Sequence, residues 1–548
     1  MSMNGNVPIL VLREGTERKT GKDATKNNIA AAVAISESIK STLGPRGLDK
    51  LMVDNLGDVT ITNDGKTILD EMEVDHPTAK LMVQLAKSQD EKVGDGTTSV
   101  VLLAGTLLKI ATELLDQDVH ATIISKGYNM AMLKAVEALD GLATQISSDD
   151  HEVLKKLAIT SMNSKVVGGD RDYLADICVD AATMIKEMRN EEIICDIKNI
   201  QIIKKPGKSM RETKLVKGLI VDKEVVSQAM PTRIEDAKIA LIDAAMEIKK
   251  TEFDSEVKIN APSQMQAFLD EEEVMLGKMV DYVKNAGANV IFCQKGIDDD
   301  AQNFLAQAGI LAARRCKKSD MDKLARATGA RVVSSLRDLT ESDLGSAGLV
   351  EERKVGKDSM IYIEDCNDPK AVSILIRAGT EHVTEELDRA MHDALCVVID
   401  AIQNPSYVPG GGAVESELAK VLRAYKDTVS GREQVAIELF ADALEVIPIT
   451  LAENAGLDPV NVIVELRSKH KDGEVNAGID VMTGRVEDMI ELGVIQPKVV
   501  TEQILRSASE AACMIVRIDD VISMRKSGGG PGGPGGAGGG PEMGEDMD

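Results

Sequence analysis

The spacing of apolar residues changes character twice along this 548-residue chain, and that double change restricts the fold more than any single motif. Near the start, Ile29, Val33, Ile35 and Ile39 recur at helical spacing over residues 27–43. Gly44-Pro45-Arg46-Gly47 stops that helix. Residues 51–53 and 59–61 read as short strands, Asn63-Asp64-Gly65 as a turn, and residues 80–92 as a helix ended by Gly94. A long helix opens near Thr97 and runs through Leu102, Leu103, Leu107, Leu108 and Ile110. The middle of the chain is different. Short apolar runs at 200–205, 219–225, 239–242, 290–292 and 332–333 alternate with helical stretches such as 299–309 and 321–328, the pattern of an α/β domain. Helices return after Glu385 and dominate to Met524. The expected architecture is multidomain α and α/β, with one domain inserted in another and the first and last thirds forming one helical unit.

Composition bounds the interior. The length suits roughly three to four domain-sized units. Aromatic residues make up 2% and Trp is absent, so the cores are built from Ala, Val, Ile, Leu and the 25 Met. Such side chains suit helices that pack closely. The same shortage removes the stacking platforms that single-stranded nucleic acid needs. A net charge of −26 disfavours any binder of phosphate backbones. No nucleic-acid partner is expected, and the charge keeps a large assembly soluble. The seven cysteines are scattered without a CxxC pair, which points to neither a disulfide framework nor a zinc site. The first 24 residues carry only a short apolar patch at 7–12, and no uninterrupted apolar run approaches the ~20 residues of a membrane span. A reducing cytoplasm, away from membranes, is the expected setting. Residues 527–541 are nearly pure Gly and Pro and 542–548 are acidic, so 527–548 reads as a disordered tail. Such a tail explores a region about 25 Å across.

Several strings carry chemistry. In Gly94-Asp95-Gly96-Thr97-Thr98-Ser99 the glycines admit an anion to the backbone, and the helix that follows offers unsatisfied N–H groups and hydroxyls. Asp95 repels a bare phosphate but can hold a Mg²⁺ that bridges phosphates. The same string also reads as a plain capped helix after a glycine turn. Gly44-Pro45-Arg46-Gly47 is a helix stop or a second Gly-rich ligand loop. Asn63-Asp64-Gly65 is first of all a hairpin turn, although a reactive Asp can occupy one. Gly65-Lys66-Thr67 is not a P-loop, because Thr60 stands where the motif needs its first glycine. Gly410-Gly411-Gly412 precedes a helix and serves either close ligand approach or a hinge. Asp393 and His392 sit inside a helical run, where spacing alone does not select them.

Together these strings resemble the group II chaperonins, the thermosome and eukaryotic cytosolic chaperonin family, and most of all an archaeal thermosome subunit. The resemblance rests on STLGPRGLDK at 41–50, ITNDGKTIL at 61–69, VGDGTTSV at 93–100, LIDAAMEIKKTE at 241–252, HDALCV at 392–397 and PGGGAVE at 409–415. It runs from about Val7 to Met524. It implies a helical equatorial domain from residues 1–150 and 404–526, an α/β intermediate domain from 151–217 and 371–403, and an α/β apical domain at 218–370. The apical domain would carry a helical lid protrusion at about 251–281. Within it, Pro262 and Ser263 suit a helix start; Met265, Phe268 and Leu269 form one apolar patch and Met275, Leu276, Met279 and Val280 another, with an acidic run at 270–273 facing water between them.

The function implied is an ATP-dependent chaperone. Stacked double rings of identical or paralogous subunits would enclose unfolded or partly folded proteins and couple ATP hydrolysis to lid closure. By the resemblance, Leu43, Gly44 and Pro45 form a phosphate-side loop, Asp95 holds Mg²⁺, and Gly96, Thr97, Thr98 and Ser99 cradle the phosphates of ATP or ADP. Asn163, Ser164 and Lys165 fall in a nucleotide-sensing loop, and Gly411 and Asp480 lie near ribose and adenine. Asp64 and Asp393 position and activate the attacking water. One position departs from the family: GVIQP at 493–497 has Gln496 where an acid commonly bonds the ribose. An ATP-dependent kinase or ligase would need a second, small-molecule constellation that the sequence lacks, and a non-catalytic scaffold would not keep Asp64, Asp95 and Asp393 together.

Overall fold

A computed structural model describes residues 16–54, 56–165, 170–248, 262–367 and 369–524. The first part of the chain forms β1 (Thr16–Thr20), α1 (Lys22–Ile39), β2 (Lys50–Val53), β3 (Val59–Thr62), α2 (Gly65–Glu71), α3 (Pro77–Val93), α4 (Thr97–Asp116), α5 (Ala121–Leu142) and β4 (Thr144–Gln145). There follow α6 (His151–Met162), α7 (Arg171–Met184), β5 (Glu187–Arg189), β6 (Glu192–Ile194), β7 (Ile200–Pro206) and β8 (Lys214–Val216). The central part holds β9 (Gly218–Val221), β10 (Arg233–Ile242), α8 (Pro262–Ala286), β11 (Val290–Cys293), α9 (Asp299–Gln307), β12 (Leu311–Ala313), α10 (Lys318–Thr328), β13 (Val332–Val333), β14 (Gly345–Val355) and β15 (Asp358–Glu364). The chain closes with β16 (Val372–Ala378), α11 (Glu381–Gln403), β17 (Ser406–Pro409), α12 (Ala413–Lys426), α13 (Glu433–Leu444), α14 (Val446–Asn454), α15 (Pro459–Lys471), β18 (Ala477–Asp480), β19 (Arg485–Asp488), β20 (Ile495–Pro497), α16 (Lys498–Val516) and β21 (Asp520–Met524).

The main apolar cores follow from these elements. Helices α1 to α5 pack with α12, α13 and α16, so both ends of the chain share one helical core. With few aromatics, contact depends on close backbones. A Cβ added at Gly105 of α4 would lie 2.1 Å from Ser36 Oγ of α1. Tyr128 and Phe440 supply an aromatic pair at 5.7 Å, and the buried Tyr128 hydroxyl donates to the Leu107 carbonyl at 2.9 Å. By length and mean hydropathy α4 is apolar enough to cross a membrane, although polar and charged residues interrupt its apolar run. Here its apolar residues from Val100 to Leu114, apart from the half-buried Ile110, are buried among neighbouring helices.

A second core joins α6, α7 and α11 to β7 and β16. Strand β16 pairs in parallel with β7, Val372 opposite Ile200, and antiparallel with β8. The whole stretch from β9 to β15 therefore leaves this small sheet at β8 and returns to it at β16. That stretch builds a seven-stranded sheet in the order β12-β11-β10-β14-β15-β9, with β13 beside β10. Alternation along β10 feeds both faces: Ile239 and Leu241 pack toward Met321 and Leu324 of α10, and Ala240 and Ile242 toward α8 and α9.

Several local expectations are corrected. The hairpin β2–β3 turns around Gly57, and Asn63-Asp64-Gly65 is instead the entry to α2, with Asp64 as its N-cap. Asp caps helices and starts turns by the same side-chain acceptance, so the two readings share a sequence. The strand expected at 219–225 stops at Val221. On α8, Leu276 and Val280 of the second apolar patch are buried against their own sheet, and Met275 and Leu269 are exposed. Asp270, Glu271 and Glu273 face water and Glu272 is half-buried. Residues 251–261 of the expected lid, the side chains of Met265 and Phe268, and the tail 527–548 lie outside the described residues.

Candidate active site

A cleft of about 370 Å³ opens where the helical core meets α6 and α11. Sixteen residues singled out from sequence line it: Leu43, Gly44, Pro45, Asp64, Asp95, Gly96, Thr97, Thr98, Ser99, Asn163, Ser164, Lys165, Asp393, Gly411, Asp480 and Gln496. They come from widely separated stretches of chain.

The charged end is built on helix starts. Gly96 is the N-cap of α4 in the left-handed region, φ 76°, and offers no side-chain cap, so the first-turn N–H groups of α4 are left for a ligand. The start of α2 lies against it, since a Cβ on Gly65 would fall 2.6 Å from Thr98 Oγ1. Asp64 Oδ2 accepts from the Thr67 N–H at 2.9 Å and the Thr67 hydroxyl at 2.7 Å, and its Oδ1 faces Thr97 Oγ1 at 3.4 Å. Burial opposes the Asp64 charge, but Lys165, the Thr67 donors and Lys66 outweigh it and hold this carboxyl below the usual range. Asp95 Oδ1 accepts from the Gly96 N–H at 2.6 Å. Burial and then the charge of Asp393 push Asp95 up to about 6. Lys66 is turned away from the cleft and pairs with Asp90 at 2.6 Å.

Two further elements complete this end. Helix α6 ends at Met162, and the turn beyond it carries Asn163, Ser164 and Lys165. Asn63 donates through its amide to the Ser164 carbonyl, and Arg171 donates to Asn163 Oδ1 at 2.8 Å, which fixes the turn from both sides. Lys165 Nζ reaches Asp393 Oδ2 of α11 at 2.5 Å, and both side chains are largely buried. Burial opposes the Lys165 charge, but Asp393 and Asp64 outweigh it and raise the group above the usual lysine value. His392 stands 3.9 Å from Asp393 and 3.7 Å from the Cys396 sulfur. Asp393 raises it despite burial. Helix α11 sits hard against the α3–α4 turn: a Cβ on Gly94 would meet Cys396 Cβ at 2.2 Å.

The opposite end is apolar, lined by Ile447, Leu451, Ile479, Val481, Met482 and Val494. Asn454 of α14 donates to the Leu43 carbonyl at 2.9 Å and holds the Leu43–Pro45 loop in place. Gly411 has φ 62°, its carbonyl accepts from the Ile479 N–H at 2.8 Å, and a Cβ there would lie 2.6 Å from Met489 Sδ. Close approach, not a free hinge, is what this glycine provides. Asp480 accepts from the Met482 N–H at 2.9 Å and from Thr483 Oγ1 at 2.7 Å. Gln496 donates its amide to Thr501 Oγ1 at 2.8 Å, which turns its carbonyl oxygen into the acceptor left for a ligand.

Among the described residues no group of three or more His, Cys, Asp or Glu forms a metal cage. A divalent cation at Asp95 would be held by one or two carboxylates and by the ligand's own phosphates, the usual arrangement for Mg²⁺. A half-buried hard oxygen donor that already accepts from the Gly96 N–H fits that ion. Sequence reasoning missed Thr160, Ser161, Arg171, Leu451, Met482 and Glu415, all of which line the cleft. Only Glu415 had a signal, as the last residue of the Gly-rich string at 409–415.

The model of the TCP-1/cpn60 chaperonin family matches residues 35–526. A thermosome subunit of Methanopyrus kandleri is 55% identical over 518 residues, covering 94% of this chain and 95% of that protein. One of Pyrococcus horikoshii is 54% identical over 526 residues, 96% of each. A thermosome subunit beta of Thermococcus kodakarensis is 53% identical over 526 residues, again 96% of each. This chain belongs to the TCP-1/cpn60 chaperonin family and is an ATP-hydrolysing, ring-forming chaperone of the thermosome-like group II kind.

Proposed function

We propose that hydrolysis in this chaperonin is switched on by the docking of α11 onto the α3–α4 turn. The observation that carries this reading is the pair Lys165–Asp393 at 2.5 Å, made between the turn after α6 and α11, above Asp64 and Asp95 of the helical core. ATP lies with its triphosphate over Gly96, Thr97, Thr98 and Ser99 and beside Leu43, Gly44 and Pro45. Asp95 would hold Mg²⁺, which would supply positive charge to the phosphate oxygens. Gly411, Asp480 and the carbonyl of Gln496 face the nucleoside. Asn163 and Ser164 present Lys165 to the terminal phosphate, for which it exchanges its contact with Asp393. The freed Asp393 carboxylate and Asp64, already fixed by Thr67, orient a water and accept its proton. Phosphoryl transfer depends mainly on positioning and charge, so docking is a sufficient switch.

The same reading assigns 1–150 with 404–526 as the equatorial domain, 151–217 with 371–403 as the intermediate domain, and 218–370 as the apical domain. The stretch 251–281 is the built-in lid. Identical or paralogous subunits form the stacked rings, unfolded or partly folded proteins are the clients, and the cytoplasm is the compartment. Asp393→Ala is the test. It keeps Mg²⁺-dependent ATP binding and loses about 10²–10⁴-fold in single-turnover hydrolysis, the usual share of a positioned base. Normal turnover removes Asp393 from the chemistry.

A further inference from the structure

Asp480, Gln496 and Glu415 are acidic or amide side chains toward the apolar end of the cleft, and two of them are already committed. Asp480 accepts from Met482 and Thr483, and Gln496 is tied to Thr501. The third, Glu415, sits in the first turn of α12, whose N-cap is Gly412. It lines the cleft, yet among the described residues only its own backbone N–H bonds to its carboxyl. No cation or second carboxylate from α12, α14, β18 or the loop before β20 shifts it. Burial alone pushes it up to about 7, so a large share of it is neutral at neutral pH. The backbone around it brings a ligand close. Gly412 has φ 78°, and a Cβ there would fall 2.7 Å from Pro448 Cβ, so the start of α12 packs tightly on α14, while Gly410, Gly411 and Gly412 line the cleft without side chains.

Glu415 is half-buried, and an acid with no side-chain partner in an apolar slot gains from a ligand that supplies one. Resting on the reading that ATP binds this cleft with its triphosphate at the charged end, we propose that Glu415 is the residue that recognises the adenine base. The neutral carboxyl donates its O–H to a ring nitrogen and accepts from the exocyclic N6 amino group, a two-point contact of the kind an amide side chain makes with adenine. A carboxylic acid kept neutral by an apolar site so that it can donate is an established device. Asp480 and Gln496 are then left to the sugar.

The experiment compares ATP with purine riboside triphosphate, which lacks the N6 amino group, and with 2′-deoxy-ATP, in the full-length particle. The unmodified chain binds the purine analogue about tenfold more weakly than ATP, the effect of one lost hydrogen bond. Glu415→Leu binds ATP about tenfold more weakly and no longer separates the two by more than about twofold. Glu415→Gln, which presents the same donor and acceptor, recovers most of that affinity. The loss on 2′-deoxy-ATP is the same in all three proteins. The comparison within the unmodified chain stands even if a variant assembles poorly. Equal discrimination by the unmodified chain and Glu415→Leu, or none by either, overturns the assignment while leaving the nucleotide site intact. If Asp95→Ala binds ATP in Mg²⁺ as well as the unmodified chain, the site reading itself fails instead.

Discussion

Gly94→Ala probes the docking of α11 without touching any residue that meets nucleotide. Gly94 closes α3 in the left-handed region, φ 64°, where an alanine costs about 1–2 kcal/mol in local strain. The larger effect is steric. The new methyl would lie 2.2 Å from Cys396 Cβ and 2.4 Å from its sulfur, whereas ordinary contact begins near 3.4 Å. Both atoms sit at the base of a side chain in the interior of α11, so rotation of the cysteine does not relieve the overlap. The helix has to withdraw by more than about 1 Å, and Asp393, one turn away, withdraws with it; a misplacement of that size costs about 10²-fold in rate, close to 3 kcal/mol. Single-turnover hydrolysis should fall by that factor, with ATP binding within a few-fold of normal. The control is geometric. Removing Cys396 Cβ leaves Cα as the nearest atom at 3.8 Å, so Gly94→Ala with Cys396→Gly recovers most of the rate, less the ~1 kcal/mol that glycine costs a helix interior. Gly94→Ala with Cys396→Ala keeps the Cβ and stays slow. Normal hydrolysis by Gly94→Ala, or equal recovery with Ala and Gly at 396, would refute the docking argument.

Three further outcomes are expected. Asp95→Ala loses Mg²⁺-dependent ATP binding, read by calorimetry with and without the metal; unchanged affinity in Mg²⁺ would rule out the metal assignment. Asp400 of α11 is half-buried with its Oδ2 enclosed and unpartnered, and desolvation, then Asp95, push it up to about 8. The folded chain keeps a proton that the unfolded chain releases near pH 4, so nucleotide-free stability falls as pH rises from about 4 to 8. Asp400→Asn removes roughly 3–6 kcal/mol of that fall, seen as a flatter melting temperature between pH 5 and 9. Replacing 251–281 by a short linker leaves rings and basal ATPase in place and abolishes protease protection of a captured client with ATP and a phosphate transition-state mimic; full protection would sink the lid assignment.

How much of this was legible depended on how local the signal was. Gly94 to Ser99 form a glycine turn feeding an apolar helix, and a reader of spacing alone finds that helix start because its physics is contained in six residues. The floor at Gly411 was half legible: three glycines before a helix announce close approach or a hinge, and only the contact with Met489 and Ile479 decides between them. Asp393 was not legible from spacing at all. It lies inside the amphipathic α11 like any solvent-facing acid, and its partner Lys165 is 228 residues away in sequence. The family resemblance, not periodicity, pointed to it. Arg171, Thr160 and Ser161 reach the cleft through the packing of α6 and α7, which no local pattern encodes. At Asn63-Asp64-Gly65 the sequence was ambiguous in principle, because a helix cap and a hairpin turn ask for the same residues.

The most direct test of the account is the structure of the assembled particle with ADP, Mg²⁺ and a planar mimic of the transferred phosphate. The account predicts the metal within about 2.0–2.1 Å of an Asp95 oxygen, and Asp393 and Asp64 both within hydrogen-bond reach of the water in line with the mimic. Lys165 should have left Asp393 for the mimic, with α11 still seated on Gly94. A metal held away from Asp95, or an Asp393 carboxylate remote from that water while the particle hydrolyses ATP, would contradict it.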